Sequence, residues 1–173
     1  MVKVTVATDI ADPRWQEALP NIEALCLAVK DAVFAYMEKH EKMPLLSGKK
    51  PLIVGVCFSN DAEVQYLNRD FRGMDKPTNV LSFANIDFAQ FDAANLPYDE
   101  IALGDIIIAY ETMEREATAE KITLQAHVGH LLVHGLLHLL GYDHIKDAEA
   151  EKMEALEVAI LADLGIDNPY KED

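Results

Sequence analysis

The chain is poor in cysteine, with two in 173 residues, and poor in positive charge, with 15 Lys and Arg against 30 Asp and Glu. No apolar run is long enough to cross a bilayer. The opening MVKVTVATDI is too short and too polar for the apolar core of a secretory signal. Each shortage excludes something. Cys26 and Cys57 lie in apolar surroundings and form no spaced motif, so a disulfide framework is excluded. Buried free thiols and a reducing, cytoplasmic compartment are expected instead. The net charge of -15 argues against non-specific binding to nucleic acid, which needs clustered cations. Much of that acid is local, however. Residues 144–173 hold Asp147, Glu149, Glu151, Glu154, Glu157 and Asp163 among others, against Lys146, Lys152 and Lys171. A basic patch elsewhere stays open.

Half the residues are hydrophobic and 26% are charged, as in an ordinary soluble globular protein. There is no repeat, linker or low-complexity segment, and the length suits one domain over residues 1–173 with a real core. VKVTVATD alternates as a strand does, and PLIVGVCFS reads as a buried strand. Between them Ile22, Cys26, Val29, Val33 and Met37 follow helical spacing. SNDAEVQYLNRDF opens on capping residues and continues as a helix; NVLSFA and IALGDIIIA read as strands. The connection NIDFAQFDAANLPYDE joins them, and a connection of that length is often functional or mobile. Three helices follow, over about Glu111–Lys121, Leu124–Leu140 and Ala148–Leu164, the last capped by Asp147 and ended by Gly165. The order βαβαββααα predicts an α+β domain: a mixed central sheet of about four strands, helices packed on it, and a buried central helix that bears histidines.

That helix carries the chemistry. His127, His130, His134 and His138 fall on one stripe, while Leu131, Leu132, Val133, Leu136, Leu137, Leu139 and Leu140 cover the rest. A helix this apolar is buried, so its polar stripe faces a cavity, a metal or polar partners. HGLLHLLGYDH, residues 134 to 144, has the H-x3-H-x5-H spacing and the glycine of the zinc-protease pattern H-E-x-x-H-x-x-G-x-x-H. Gly141 is placed to stop the helix, and the turn after it returns His144 as a third ligand to join His134 and His138. Three neutral imidazoles leave a tetrahedral Zn2+ one open position, which favours a catalytic ion over a structural one. Gly135 stands where the protease pattern has its glutamate. Zinc lowers the pKa of bound water to about 7, so hydroxide is available without a strong base. What is missing is the proton shuttle that an amine leaving group requires. A phosphodiester asks less of a shuttle and more of charge stabilisation. His127 and His130 read as structural or supporting residues, and Asp143 either orients a ligand or serves the turn.

A second group, Arg69, Arg72 and Lys76, surrounds the loop RGMDKPT. Asp70 and Asp75 nearly neutralise it, and on charge alone it reads as a solvated loop. Arg72 before Gly73 is nevertheless well placed to reach a phosphate.

Taken in series, these segments resemble the YbeY family of bacterial endoribonucleases and rRNA maturation factors. HGLLHLLGYDH is similar to the family's HGxLHLxGYDH, FRGMDKPTNVLSF to (Y/F)RGxDxPTNVLSF, and LGDIIIA to its LGDIxI strand. HIKDAEAEKMEALE resembles the segment that follows the histidine motif. The resemblance runs from about Leu52 to Glu157. It implies zinc, one ion per chain, on His134, His138 and His144, and a functional arginine at Arg72. It also implies single-strand-specific endoribonuclease activity in rRNA 3′-end maturation and small-subunit quality control. The implied partners are ribosomal RNA and the small ribosomal subunit with its proteins, with neither membrane nor DNA expected. His134 and Arg72 would be catalytic, with Arg69 and Lys76 as further phosphate contacts. Asp105 matches the aspartate of the family's strand and supports either a ligand histidine or the fold. Two other readings stand beside this one: a metalloprotease-like zinc hydrolase, and a ribosome-assembly factor with a structural zinc.

Overall fold

A computed structural model describes residues 2–48, 50–88 and 99–171. Its elements in chain order are β1 (Val4–Ile10), α1 (Arg14–Ala18), α2 (Ile22–His40), α3 (Pro44–Ser47), β2 (Leu52–Ser59), α4 (Asp61–Arg72), β3 (Val80–Ala84), β4 (Ile101–Ala109), α5 (Tyr110–Glu120), α6 (Leu124–Leu139) and α7 (Asp147–Asp163). The expected α+β architecture is present. The four-stranded sheet has the order β1-β2-β4-β3. β1, β2 and β4 run parallel and β3 pairs antiparallel with β4, so the sheet is mixed. Parallel neighbours need a crossover, and α2 supplies it between β1 and β2.

Two short helices are additional to the expected order, and both are too brief for periodicity to reveal. α1 is a single turn built around Trp15, which is fully buried and donates its indole N–H to the Ser59 carbonyl at 2.7 Å. α3 starts with Pro44, whose fixed φ and missing N–H suit a first turn. Asp147 does not cap α7. It is the first helical residue, Lys146 holds the cap position, and no side chain bonds to the free N–H groups there. Most of the connection expected to be functional or mobile, residues 89–98, lies outside the described residues. Both cysteines are free: Cys26 is buried, whereas Cys57 is only half-buried, on the face of β2 beside Asp9 and Glu63. No described helix is long and apolar enough to cross a membrane.

The main core lies between the sheet and the layer formed by α2, α6 and α7, and includes Val29, Val33, Val54, Ile106, Leu132, Leu137 and Ile160. α4 covers part of the other sheet face, where Val64, Leu81 and Ala109 form a small second cluster. α6 is the hub: it packs against α2, α5, α7, β3 and β4. Its start is set by Thr123, whose hydroxyl accepts the Ala126 N–H at 3.0 Å.

β4 reaches α6 through a bulge. Ile53 and Val54 of β2 pair with Ala102 and Gly104, leaving Leu103 as an extra residue. Gly104 takes φ +144°, where only glycine is at ease, and a Cβ there would run into the Phe83 carbonyl oxygen and the Leu139 side chain. Past the bulge, Asp105 points away from α6. It sits in register with Gly55 and Phe83, and its carboxylate fills the space that Gly55 leaves. Of the two readings of Asp105, the structure places it with the sheet and away from the histidines. Gly104→Ala is expected to cost about 2–4 kcal/mol through backbone strain and overpacking. That corresponds to a fall of about 5–15 °C in thermal midpoint; an unchanged midpoint in calorimetry would show that the bulge relaxes freely.

Candidate metal centre

α6 ends in a way that builds half of the site. Gly141, at φ +100°, donates its N–H to the His138 carbonyl at 3.0 Å, and Tyr142 donates to the Leu137 carbonyl at 3.0 Å. This paired closure stops the helix with a left-handed residue. It also turns the Tyr142 carbonyl back over the last helical turn, where it accepts from His138 Nδ1 at 2.9 Å. A Cβ at Gly141 would press on the Phe88 ring at 2.8 Å, so a side chain is disfavoured there by space as well as by backbone. The Asp143 carboxylate accepts the His144 backbone N–H at 2.7 Å, and the same oxygen lies 3.9 Å from His144 Nδ1.

The turn brings His144 back to the helix. Its ring centroid lies 5.5 Å from that of His134 and 5.1 Å from that of His138, which are themselves 4.5 Å apart. One nitrogen of each of the three imidazoles lies within 4.8 Å of the others. His134 and His138 are half-buried and His144 is exposed, so the cluster opens to solvent on one side.

The ring tautomers follow from the partners. His134 Nδ1 lies 2.8 Å from Glu157 Oε1, and His138 Nδ1 lies 2.9 Å from a carbonyl. Both partners are acceptors, so both Nδ1 atoms carry hydrogen and both Nε2 atoms are left to face each other, 3.0 Å apart. Burial, reinforced by the neighbouring imidazoles of His134 and His144, pushes the His138 pKa down to about 4, so that ring is neutral at pH 7. Two nitrogens this close are satisfied either by one shared proton or by a metal ion. With a third imidazole alongside, this donor set fits a small divalent ion such as zinc. The three residues expected to share a metal are thus brought together, and they are able to hold one.

Glu157 was not singled out in the sequence reading. It is fully buried on α7 and receives His134 Nδ1, His130 Nε2 at 3.3 Å and the Tyr170 hydroxyl at 2.6 Å. Burial pushes its carboxyl up, but the hydrogen bonds from His130, His134 and Tyr170 prevail and hold it at about 2. One signal for it was present in the sequence: a glutamate at helical spacing from the core residues Met153, Ile160 and Leu161. His130 Nε2 also lies 3.3 Å from the Tyr170 hydroxyl, and His127 is buried. His127 Nε2 lies 3.0 Å from Glu116 Oε1, which also accepts from Asn79 Nδ2 at 3.0 Å.

The imidazoles line a cleft of about 1090 Å³, whose walls include Arg72, Asn79, Ser82, Glu116, Phe88 and Tyr170. Arg72 is the last residue of α4, and the Gly73 N–H closes that helix onto the Arg69 carbonyl at 3.1 Å. Arg69 and Lys76 are outside the lining. Arg69 pairs with Asp70 at 3.2 Å and lies over the Tyr66 ring, and Lys76 is exposed on the following loop.

Gly135 accounts for the absent glutamate. It faces β3 and β4, where a Cβ would meet Ile106 Cδ1 at 2.9 Å and Ser82 Oγ at 3.2 Å. The helix lies too close to the sheet for any long side chain at this position.

The fold and the site define an α+β protein with a three-imidazole cleft able to hold a metal ion, with Arg72 among its lining residues. The family model described as endoribonuclease YbeY matches residues 17–165. A curated relative named endoribonuclease YbeY, from Paramagnetospirillum magneticum, is 46% identical over 171 residues, covering 99% of this chain and 98% of that protein. Another with the same name, from Sphingopyxis alaskensis, is 48% identical over 171 residues, covering 98% of each. A solution structure of a Thermotoga maritima protein shares the fold, with a TM-score of 0.50 at 20% identity over 99% of this chain and all of that one. The chain belongs to the endoribonuclease YbeY family.

Gly135→Glu, which restores the protease pattern in sequence, is expected to yield no peptidase activity. The side chain would enter the helix–sheet contact and bury a carboxylate, lowering stability by at least about 3 kcal/mol. Thermal unfolding and a peptide-cleavage assay on the variant check this; a wild-type melting point or measurable proteolysis would contradict the packing described.

Proposed function

We propose that this chain is a zinc-dependent, single-strand-specific endoribonuclease of rRNA 3′-end maturation and small-subunit quality control, working as one metallohydrolase domain over residues 1–173. The observation that carries the reading is the sharing of one cleft by the imidazoles of His134, His138 and His144 and the guanidinium of Arg72. Membership of the endoribonuclease YbeY family supplies the substrate class. The partners that follow are single-stranded ribosomal RNA and the small ribosomal subunit, in the cytoplasm.

His134, His138 and His144 would hold the ion. Zinc, when bound, supplies Lewis acidity toward a phosphate oxygen and acidifies water next to it. The remaining tasks belong to the chain. Arg72 binds the scissile phosphate and stabilises the charge that develops on its non-bridging oxygens. The Tyr142 carbonyl and Glu157 hold the two helix histidines in the tautomer that leaves Nε2 free. Arg69 and Lys76, outside the cleft lining, would extend the contact to neighbouring phosphates. The closeness of Gly135 to the sheet weighs against peptide hydrolysis, because the position of the missing glutamate is inside the core.

Two outcomes are expected. Adding zinc to metal-free protein raises the thermal midpoint, and a chelator reverses the rise, since a ligand that binds only the folded state stabilises it; His144→Ala abolishes the response. On a single-stranded rRNA 3′-end fragment, Arg72→Ala keeps its zinc and its melting point but loses about 100-fold or more in cleavage, whereas His134→Ala loses metal and cleavage together. Equal cleavage by wild type and both variants would remove the nuclease reading.

A further inference from the structure

The carboxylate of Glu157 is 0% exposed, in a helix whose other inward residues are Met153, Leu156, Ile160 and Leu161. A leucine in its place would bury apolar surface at no cost of desolvation, so a carboxyl group there depends on the polar partners packed around it. Its bonds are directional. One oxygen receives His134 Nδ1 at 2.8 Å, with His130 Nε2 at 3.3 Å; the other receives the Tyr170 hydroxyl at 2.6 Å. Tyr170 reaches this point from the C-terminal tail. Its backbone N–H is tied to Asn168 Oδ1 at 2.8 Å, and its ring stands edge-on to that of His130 with centroids 5.5 Å apart. Pro169 and Tyr170 both line the cleft. They lie beyond residue 165, where the match to the family model stops.

We propose that Glu157 and Tyr170 are positioning residues for the metal centre: the tail tyrosine fixes the buried carboxylate, and the carboxylate fixes His134 with Nε2 presented to the ion. The C-terminal tail is thereby part of the metal site although it supplies no ligand. A ligand histidine gains basicity and a fixed ring plane when its other nitrogen donates to a carboxylate. Here one carboxylate also gathers His130 and Tyr170, so α6, α7 and the tail are locked at a single point. Tyr170 blocks the second oxygen from rotating toward His134 or toward water, and it contributes a charge-assisted bond of the strong kind. The inference rests on the reading that the three histidines hold zinc.

The test is zinc affinity by chelator competition on the full chain as wild type, Glu157→Gln and Tyr170→Phe. The metal-free melting point and the 15N-histidine spectrum of His134 are recorded on the same samples. Glu157→Gln keeps the shape and removes the charge; its affinity is expected to fall about 10–100-fold, and the metal-free His134 is expected to lose its preference for hydrogen on Nδ1. Tyr170→Phe removes one hydroxyl at a half-exposed position and should fold normally, with affinity about fivefold lower. A purely structural network would lower the melting point and leave affinity and tautomer unchanged; that result overturns the proposal. If Glu157→Gln does not fold, Tyr170→Phe decides alone, and wild-type affinity in it refutes the relay. Wild type that fails to bind zinc overturns the metal reading and the relay with it. Wild type that binds alongside variants that bind equally overturns the relay only.

Discussion

The close approach of α6 to β3 and β4 is the constraint on which the rest of the structure depends. At Gly135 the helix lies so near Ile106 and Ser82 that even a Cβ would push on their side chains. With that face against the sheet and leucines filling the flanks, the remaining stripe of the helix, the one with the histidines, has a single place to go. Polar atoms that cannot be buried without partners must face a cleft that supplies them. The bulge at Leu103 is followed by Gly104, where a Cβ would run into the Phe83 carbonyl of β3 and Leu139 of α6.

Around that stripe the orienting groups come from elements far apart in the chain. His138 is set by a carbonyl four residues on, made available by the way Gly141 closes the helix. His134 is set by a carboxylate 23 residues on, on a different helix. The first is local and cheap. The second buries a charge, and three donors converge on it to offset the desolvation. The arrangement is dense in imidazoles, yet burial above all keeps His138 neutral, which is the state a metal requires of it.

The acidity of the chain and the substrate class of its family pull in opposite directions within the cleft as well, whose lining holds Asp87, Glu116, Glu120 and Asp143 beside Arg72. Acidic side chains on α7 such as Glu149, Glu151 and Glu154 are solvent-facing or nearly so, whereas Glu157 is consumed inside the core. Arg72 stands in the cleft wall at the C-terminal end of α4. What a phosphate meets is set by the few groups within a Debye length of about 8 Å at physiological salt, not by the sum over the molecule.

Sequence by itself determined the α+β class, nearly all the long elements and the three histidines, because those signals are local. Helical and strand periodicity, a glycine after a helix and a ligand spacing of three and five residues are each complete within a dozen residues. It also marked Arg72, through its place before Gly73 in a long motif. Only the tertiary structure decided what surrounds them. Periodicity could not reveal the single-turn helices at Trp15 and Pro44, because one turn shows no repeat. Sequence alone gives Asp105 two possible roles, and the sheet register puts it opposite Gly55. Gly135 read as a missing glutamate, and the reason it is glycine lies in a contact with β4, made across the fold. Glu157 and Tyr170 were hidden for the same reason: a carboxylate on an acidic helix and a tyrosine near the end of the chain are ordinary in sequence. They become part of a site only when packing brings α7 and the tail within hydrogen-bonding distance of α6.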